Sequence, residues 1–330
     1  MKKRVLLLFS IVPFTLGFLV AYVQGKPTSH STSFAPNAIQ PTDKITLINN
    51  GDIYALTQNG VEQITHGQHL LEPALVGSNY VSVEKTTNYS SMVLFDNQGN
   101  KIKTLFDGNS DKIDTMSWVT DPAINPAQNR IAYVSDKDKV DTNVPDNALY
   151  VLNVSTGKST NIATPDPYSG GLADPVFDPV DGNIVLYDYY QYDPKTLTPY
   201  STIEQYDNSS GLITTLTYEN KNAYQQAISS DGKQLMFLGR NDGSNTVTLY
   251  IADFDASAGL SNIHALFTGD LAYPKFSNVK GVIYFMQAQG NNEYNLMTAT
   301  VQKSKLNNIH SVISGNTLLG NSSYQVVKGN

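Results

Sequence analysis

From Ile45 onward the chain alternates short apolar strands with polar turns, and one unit recurs along it. Each unit opens with a short apolar strand, turns at Asp, Asn, Gly or Pro, and returns as an alternating strand such as residues 131–134 (IAYV). This pattern predicts antiparallel hairpins. Five stretches align in this way, the first more loosely than the rest: residues 72–85, 121–136, 174–188, 225–240 and 273–287.

A third strand follows in each unit, and a fourth often ends in an apolar segment such as IKTLFDG from Ile102. Four antiparallel strands in a repeat of roughly 50 residues are typical of β-propeller blades, because a single sheet buries both faces only when neighbours stack on it. The spacing is regular, with steps of 49, 53, 51 and 48 between the second residues of the units, which are Pro73, Pro122, Pro175, Gln226 and Pro274.

The two ends of the repeat array predict how the ring closes. One further step beyond Pro274 falls near Tyr324, inside the isolated strand SSYQVVKG. Residues 45–67 supply only three strands, so the first blade lacks its inner strand, and the final strand is the natural replacement. We therefore predict an all-β, six-bladed β-propeller over residues 43–330, with four antiparallel strands per blade and the first blade closed by the C-terminal strand.

The turn and strand at the centre of the unit resemble the TolB-like propeller repeat, a WD-like or PD-type repeat. Its usual form is Trp or Phe, then Ser-Pro-Asp-Gly-Lys, then an apolar strand, and SSDGKQLMF from Ser229 is the nearest match. Residues 125–128 and 178–182 keep parts of the motif, and residues 277–281 keep less. The resemblance covers about residues 45–330 and implies a fold. It implies no single activity, since such repeats occur in periplasmic scaffolds, prolyl oligopeptidases and polysaccharide lyases.

The amino terminus has the pattern of an export signal. Three basic residues at positions 2–4 precede an uncharged run from Val5 to Val23, and such a run directs the following chain across a membrane. Residues 1–25 fit either an uncleaved membrane anchor or a signal peptide cut after Gly25, and we favour the anchor. Residues 26–42 are rich in Ser, Thr and Pro, which predicts a tether between the membrane and the propeller.

Composition narrows the possible functions. The chain has no cysteine, which excludes disulfides, thiolate nucleophiles and cysteine-based zinc sites. Its net charge is -7, and without Lys2, Lys3 and Arg4 it is -10. The only arginines beyond them are Arg130 and Arg240. Because phosphate backbones are bound by clustered Lys and Arg, no nucleic-acid partner is expected.

The repeat itself points to a first candidate site. Residues at equivalent positions in different blades lie on a ring about the axis, and three of those that open the inner strands are carboxylates. Such a ring could coordinate a hard cation such as Ca²⁺, or receive a basic peptide or an amine. Alternatively, each carboxylate only caps its strand or a neighbouring turn. The five positions are Glu72, Asp121, Asp174, Gln225 and Tyr273.

Two further stretches are candidates. Asp136, Asp138 and Asp141 alternate as in a calcium-binding loop, but the segment departs from the EF-hand at its Gly and at the fifth position, so a solvated loop is the main expectation. Tyrosines cluster between residues 187 and 200, where Tyr187 fits a core position. The others offer either a glycan- or protein-binding surface or packing onto the adjacent blade: Tyr189, Tyr190 and Tyr192.

Signs of catalysis are few. None of the five histidines belongs to a spaced ligand motif, and the sequence contains no G-x-S-x-G or H-E-x-x-H. The leading hypothesis is an exported, monomeric, non-enzymatic binding or scaffold propeller. It would recognise a protein, peptide or glycan at the channel face and touch the membrane only through its N-terminal segment. The alternative is a metal-assisted carbohydrate-active lyase or hydrolase that uses the acidic ring, and a purely structural envelope role stays open.

Overall fold

In the computed structural model each predicted repeat forms its own antiparallel sheet, and six sheets stand in a ring. The structure describes residues 33–109, 116–138, 147–167, 169–193, 195–216, 222–240, 246–290, 293–319 and 323–329. The predicted export segment, residues 1–25, lies outside these ranges, as do residues 26–32. Within them, no helix is both long and apolar enough to cross a membrane.

The strands follow one another blade by blade. The described chain begins with β1 (Ser33–Phe34) and a 3₁₀ turn (Pro36–Ala38). Blade 1 contains β2 (Asp43–Asn49), β3 (Asp52–Thr57) and β4 (Gly60–Gln63). Blade 2 contains β5 (Leu70–Val76), β6 (Asn79–Lys85), β7 (Ser90–Phe95) and β8 (Lys101–Phe106). Blade 3 contains β9 (Val119–Ile124), β10 (Arg130–Ser135), β11 (Ala148–Asn153) and β12 (Ser159–Ala163).

The second half of the chain repeats this order. Blade 4 contains β13 (Gly171–Phe177), β14 (Ile184–Tyr192), β15 (Pro199–Asp207) and β16 (Leu212–Leu216). Blade 5 contains β17 (Ala223–Ile228), β18 (Gln234–Arg240), β19 (Val247–Asp255) and β20 (Gly259–Gly269). Blade 6 contains β21 (Leu271–Phe276), β22 (Val282–Gly290), β23 (Glu293–Gln302) and β24 (Lys305–Leu319). The last strand is β25 (Tyr324–Lys328).

The final strand closes the ring as the repeat spacing predicts. β25 pairs with β2 in antiparallel fashion, with Tyr324 opposite Leu47, and the sheet order of blade 1 is β25-β2-β3-β4. The first strand of each blade contacts the first strand of the next, in the order β25, β5, β9, β13, β17, β21 and back to β25. These strands therefore surround the axis, and the six-bladed prediction with its composite first blade is confirmed.

Stability comes from apolar contacts between blades. The two faces of each sheet pack against different neighbours, as Tyr133 and Ala132 illustrate: they are adjacent in β10 but belong to separate clusters, one shared with blade 2 and the other with blade 4. The described residues form such a cluster at each of the six blade boundaries. This explains why the inner and middle strands are buried on both faces, as stacked sheets require.

The propeller begins earlier in the chain than its predicted boundary at residue 43. β1 pairs with the outer strand of blade 6, with Phe34 opposite Ile313, and Ile39 is fully buried between blades 6 and 1. The Gln40 N–H donates to the Tyr284 hydroxyl at 3.0 Å. Residues 33–42 thus lie against the ring instead of in the predicted tether, because Phe34 and Ile39 supply apolar anchors within a Ser- and Pro-rich segment.

Candidate functional site at the channel mouth

Five inner strands carry the same distortion near their start. A register irregularity interrupts the pairing of each of these strands with its neighbour. At each one a residue other than glycine adopts a left-handed conformation, with φ between 49° and 55°, at a cost of about 1–2 kcal/mol per residue. A bulge re-aims a side chain, here toward the axis. The distorted residues are the five predicted ring positions: Glu72, Asp121, Asp174, Gln225 and Tyr273.

Hydrogen bonds pass from blade to blade around this ring. The Asp121 N–H donates to Glu72 Oε2 at 2.6 Å, and the Asp174 N–H approaches Asp121 Oδ2 at 3.5 Å. The Tyr273 N–H donates to Gln225 Oε1 at 2.8 Å. At the remaining described step the acceptor is Asp188 of β14, whose Oδ2 receives the Gln225 N–H at 2.8 Å. The ring side chains therefore do cap neighbouring bulges, which was the structural alternative to ligand binding.

The ring also encloses a small cavity of about 40 Å³. All six blades contribute to its wall, since Ser323 and Gln325 close it from the C-terminal strand. The other lining residues come from the five bulged strands: Glu72, Pro73, Asp121, Pro122, Asp174, Pro175, Gln225, Gln226, Tyr273 and Lys275.

Gln226 differs from its counterparts in the ring. The other four bulged strands have proline at this position, whereas Gln226 places an amide at the cavity wall and is only 2% exposed. Its Nε2 donates to the Asp174 carbonyl at 2.6 Å. Its Oε1 is buried and receives no hydrogen bond from the described part of the protein. A buried acceptor without a donor is costly, so this oxygen indicates a donor other than the residues that the structure describes.

Burial raises the pKa of the ring carboxyl groups. It raises the pKa of Glu72 to about 7, and it raises the pKa of Asp121 and Asp188 well above the usual range, assisted by the neighbouring carboxylates. The pKa of Asp174 is raised less, because Lys275 and a hydrogen bond with Asp188 favour its charged form. Asp188 Oδ1 is buried and has no hydrogen-bond partner within the described ranges.

Lys275 is the cation of this site. It follows Tyr273 by two residues in β21 and lines the same cavity. Burial lowers its pKa, and the charges of Asp174, Asp121 and Asp188 partly restore it. Its ammonium group forms no ion pair within 4.0 Å among the described side chains, so Lys275 balances part of the ring charge from a distance.

The tyrosine-rich stretch divides between the cavity and the core. Tyr187 is buried, as the strand pattern predicts. Burial, followed by the charges of Asp188 and Asp174, raises the pKa of Tyr190 well above its usual range. Tyr189 packs between blades 3 and 4, and its hydroxyl accepts the Asp166 N–H at 2.9 Å.

Tyr192 lies elsewhere, at the end of β14, and is 37% exposed. Two more tyrosines lie close to the ring: Tyr273 lines the cavity, and the charge of Asp188 acts on Tyr224. The channel mouth therefore combines carboxyl groups with aromatic rings.

The candidate calcium loop is not assembled where the structure describes it. Asp136 is buried and accepts the Trp118 N–H at 2.6 Å, whereas Asp138 accepts the Tyr150 hydroxyl at 2.9 Å and lies 3.4 Å from the Lys137 ammonium. Asp141 lies outside the described residues. No three His, Asp or Glu side chains come close enough to hold a metal ion in the described ranges.

Sequence reasoning identified the five ring positions but missed three of their partners. Asp188 lies within the tyrosine-rich stretch and reaches the ring because it pairs with Ala173 beside the bulge. Gln226 was visible as the one aligned position that is not proline. Lys275 was visible from strand periodicity, because it lies two residues after a ring position on the same strand.

Comparison with known proteins supports the fold. No protein-family model and no curated protein sequence matches the chain. Among solved structures it is similar to TolB from Acinetobacter baumannii, with a TM-score of 0.64 and 16% identity over 87% of this chain and 67% of that one.

Two other structures give a similar result. The putative TolB from Agrobacterium tumefaciens has a TM-score of 0.53 and 15% identity, covering 72% of this chain and 80% of that one. An oligogalacturonate lyase in complex with manganese has a TM-score of 0.54 and 14% identity, covering 76% and 68%. At identities this low, the structural similarity shows the fold alone. The chain has the six-bladed fold of the TolB-like β-propellers.

Proposed function

We propose that this chain is an exported, non-enzymatic binding propeller that takes a group of a protein, peptide or glycan into the mouth of its channel. One observation carries the proposal: all six blades line a polar cavity in which the Gln226 Oε1 acceptor has no donor among the described residues. Concave sites with a few convergent polar groups are the usual place for ligands. The proposal of export rests on the basic and apolar pattern of residues 1–25.

Backbone strain at the ring supports a binding role. Glycine would adopt the left-handed conformation without cost, yet the five bulges carry side chains as large as that of Tyr273. Glu72 and Asp121 each use one carboxylate oxygen to accept an N–H of the next blade, which is a structural reason for a side chain at these two positions. No such contact among the described residues explains the side chain of Tyr273, which lines the cavity. Strained residues of this kind concentrate at ligand sites.

A metal-assisted lyase or hydrolase is the second candidate, and the acidic ring is the observation that favours it. This reaction would need a bound cation and a nearby base. The described ring carboxylates do not form a group of three close enough for a metal ion, so the ring would have to rearrange on metal binding. Metal analysis of the purified protein, together with an assay on acidic polysaccharides, tests this candidate.

The binding proposal is tested by filling the cavity without changing its charge. Ser323→Phe places a ring where Ser323 now lines the cavity, and Ser261→Phe makes the same change at an exposed position of β20 as a control. Peptide and glycan arrays are screened with the wild type and both variants. We expect the ligands of the wild type to be retained by Ser261→Phe and lost by Ser323→Phe. Ligands that bind all three proteins equally would refute binding at the channel mouth.

A further inference from the structure

The cavity wall carries a buried hydrogen-bond acceptor that has no donor among the described residues. Glu72 Oε2 is already used within the protein, because it accepts the Asp121 N–H of the next blade at 2.6 Å. The acceptor without a donor is Gln226 Oε1. Because Gln226 Nε2 donates to the Asp174 carbonyl, the oxygen is the end of the amide that remains for a ligand. A complementary ligand group would therefore donate a hydrogen bond to this oxygen.

Charge narrows the choice of group. Four carboxyl groups influence one another at this end of the channel, and Lys275 is the one cation found to act on them from within the cavity. A cationic donor would favour the ionised form of the carboxyl groups and make charge-assisted hydrogen bonds to them. A neutral donor such as a sugar hydroxyl would leave the cost of ionising them unchanged.

The size of the cavity and the residues around it narrow the choice of ligand group further. A cavity of about 40 Å³ admits a small head group, since roughly 10–15 Å³ of such space suffices for one water molecule. Of the two organic cations that side chains offer, the ammonium is a compact point charge and the guanidinium a planar fork. A calcium ion needs six to eight oxygens at short range, which the spread carboxyl groups do not provide. The face of an aromatic ring attracts organic cations, and Tyr273 lines the cavity.

We propose that the channel mouth binds a primary ammonium group, supplied by a lysine side chain or by the free amino terminus of a peptide. This inference rests on the proposed binding function and names its ligand chemistry. The ammonium donates to Gln226 Oε1, Glu72 and Asp174, and it competes with Lys275 for the ring charge. Lys275 thus opposes binding. Removing its charge should therefore strengthen binding, whereas removing the charge of Asp174 should weaken it.

The test uses calorimetric titration of the full chain with small capped peptides. The probes are acetyl-Gly-Lys-Gly-amide, the same peptide with its lysine Nε-acetylated, and Gly-Gly-Gly-amide with a free amino terminus. We expect binding of the first or third probe and none of the second. Loss of a charge-assisted hydrogen bond in Asp174→Asn should weaken binding about 10–100-fold, whereas Lys275→Met should strengthen it. Asp253→Asn removes an exposed carboxylate from blade 5 and should change nothing.

The outcomes separate this inference from the proposed function. Preference for the lysine side chain or for the amino terminus identifies the source of the ammonium. Equal binding of the acetylated probe, or binding that Asp174→Asn and Lys275→Met leave unchanged, overturns the ammonium site. If array ligands are still lost in Ser323→Phe, the channel remains a binding site for another chemistry. Displacement of the peptide by calcium chloride, with calcium binding abolished in Asp174→Asn, would also overturn the inference in favour of a metal.

Discussion

Replacing Glu72 with glutamine should raise the free energy of unfolding at high pH and leave it unchanged at low pH. Between the pKa of an unfolded glutamate, 4.5, and the folded value of about 7, the folded protein holds a proton that the unfolded chain has released. Stability therefore falls as the pH rises through this interval, and the cost is complete above pH 7. At about 1.4 kcal/mol per pKa unit the difference amounts to at most about 3.5 kcal/mol. We take about 3 kcal/mol as its upper limit, because Glu72 is only half-buried.

Glu72→Gln keeps the shape of the side chain and an oxygen that accepts the Asp121 N–H. We expect the variant to match the wild type at pH 4.5 and to be more stable at pH 8 by up to about 3 kcal/mol. With a urea m-value of about 3 kcal/mol/M, the midpoint moves by up to about 1 M. Fluorescence of Trp118, the only tryptophan of the chain, follows the unfolding.

The matched control is Asp207→Asn at the end of β15, next to an exposed turn. Hydrogen bonds from Ser209 and Ser210 lower the pKa of Asp207 to about 2, so its contribution to stability is lost as the pH falls. The control should therefore show no gain at pH 8. A Glu72→Gln midpoint that follows the wild type at every pH would refute the claim that the ring holds protons in the folded state.

Two further predictions concern the closure of the ring and a tight turn. Tyr324 is fully buried, and its hydroxyl has no partner in the described structure; Tyr324→Ala should cost about 3–5 kcal/mol of unfolding free energy and Tyr324→Phe should be neutral or stabilising. Equal thermal midpoints for the two variants would contradict the closure. Gly99 and Gly157 share a left-handed backbone, but a Cβ at Gly99 would lie 1.9 Å from the Ile64 carbonyl oxygen and one at Gly157 would meet nothing. In chemical denaturation Gly99→Ala should therefore prevent folding, whereas Gly157→Ala should cost about 1–2 kcal/mol; equal losses would show that the close approach is unimportant.

Much of the fold was predictable because the repeat is local. The turn and strand of each blade lie within a short stretch of chain, and the spacing alone located β25 at Tyr324. Residues 33–42 escaped prediction for a physical reason. Their contribution depends on Phe34 and Ile39 meeting blades that lie far away in sequence, and a composition rich in Ser and Pro conceals two such anchors.

The site was predictable in position but not in conformation. Alignment of the repeats located Glu72, Asp121 and Asp174, yet the left-handed bulges depend on how each strand pairs with its neighbour. Asp188 reaches the ring from a second strand, so no alignment of inner strands could include it. The hydrogen bonds between blades are tertiary contacts, and they decide which oxygens are left to a ligand.

A crystal structure of the protein with Nα-acetyl-lysine amide tests the central claim most directly. We predict the ammonium nitrogen in the cavity, within about 3 Å of Gln226 Oε1 and of the Glu72 or Asp174 carboxylate, with the lysine stem against Tyr273. A lysine bound on an outer strand or at the exposed Tyr192 while the cavity holds only water, at a concentration that saturates binding in solution, would contradict the account.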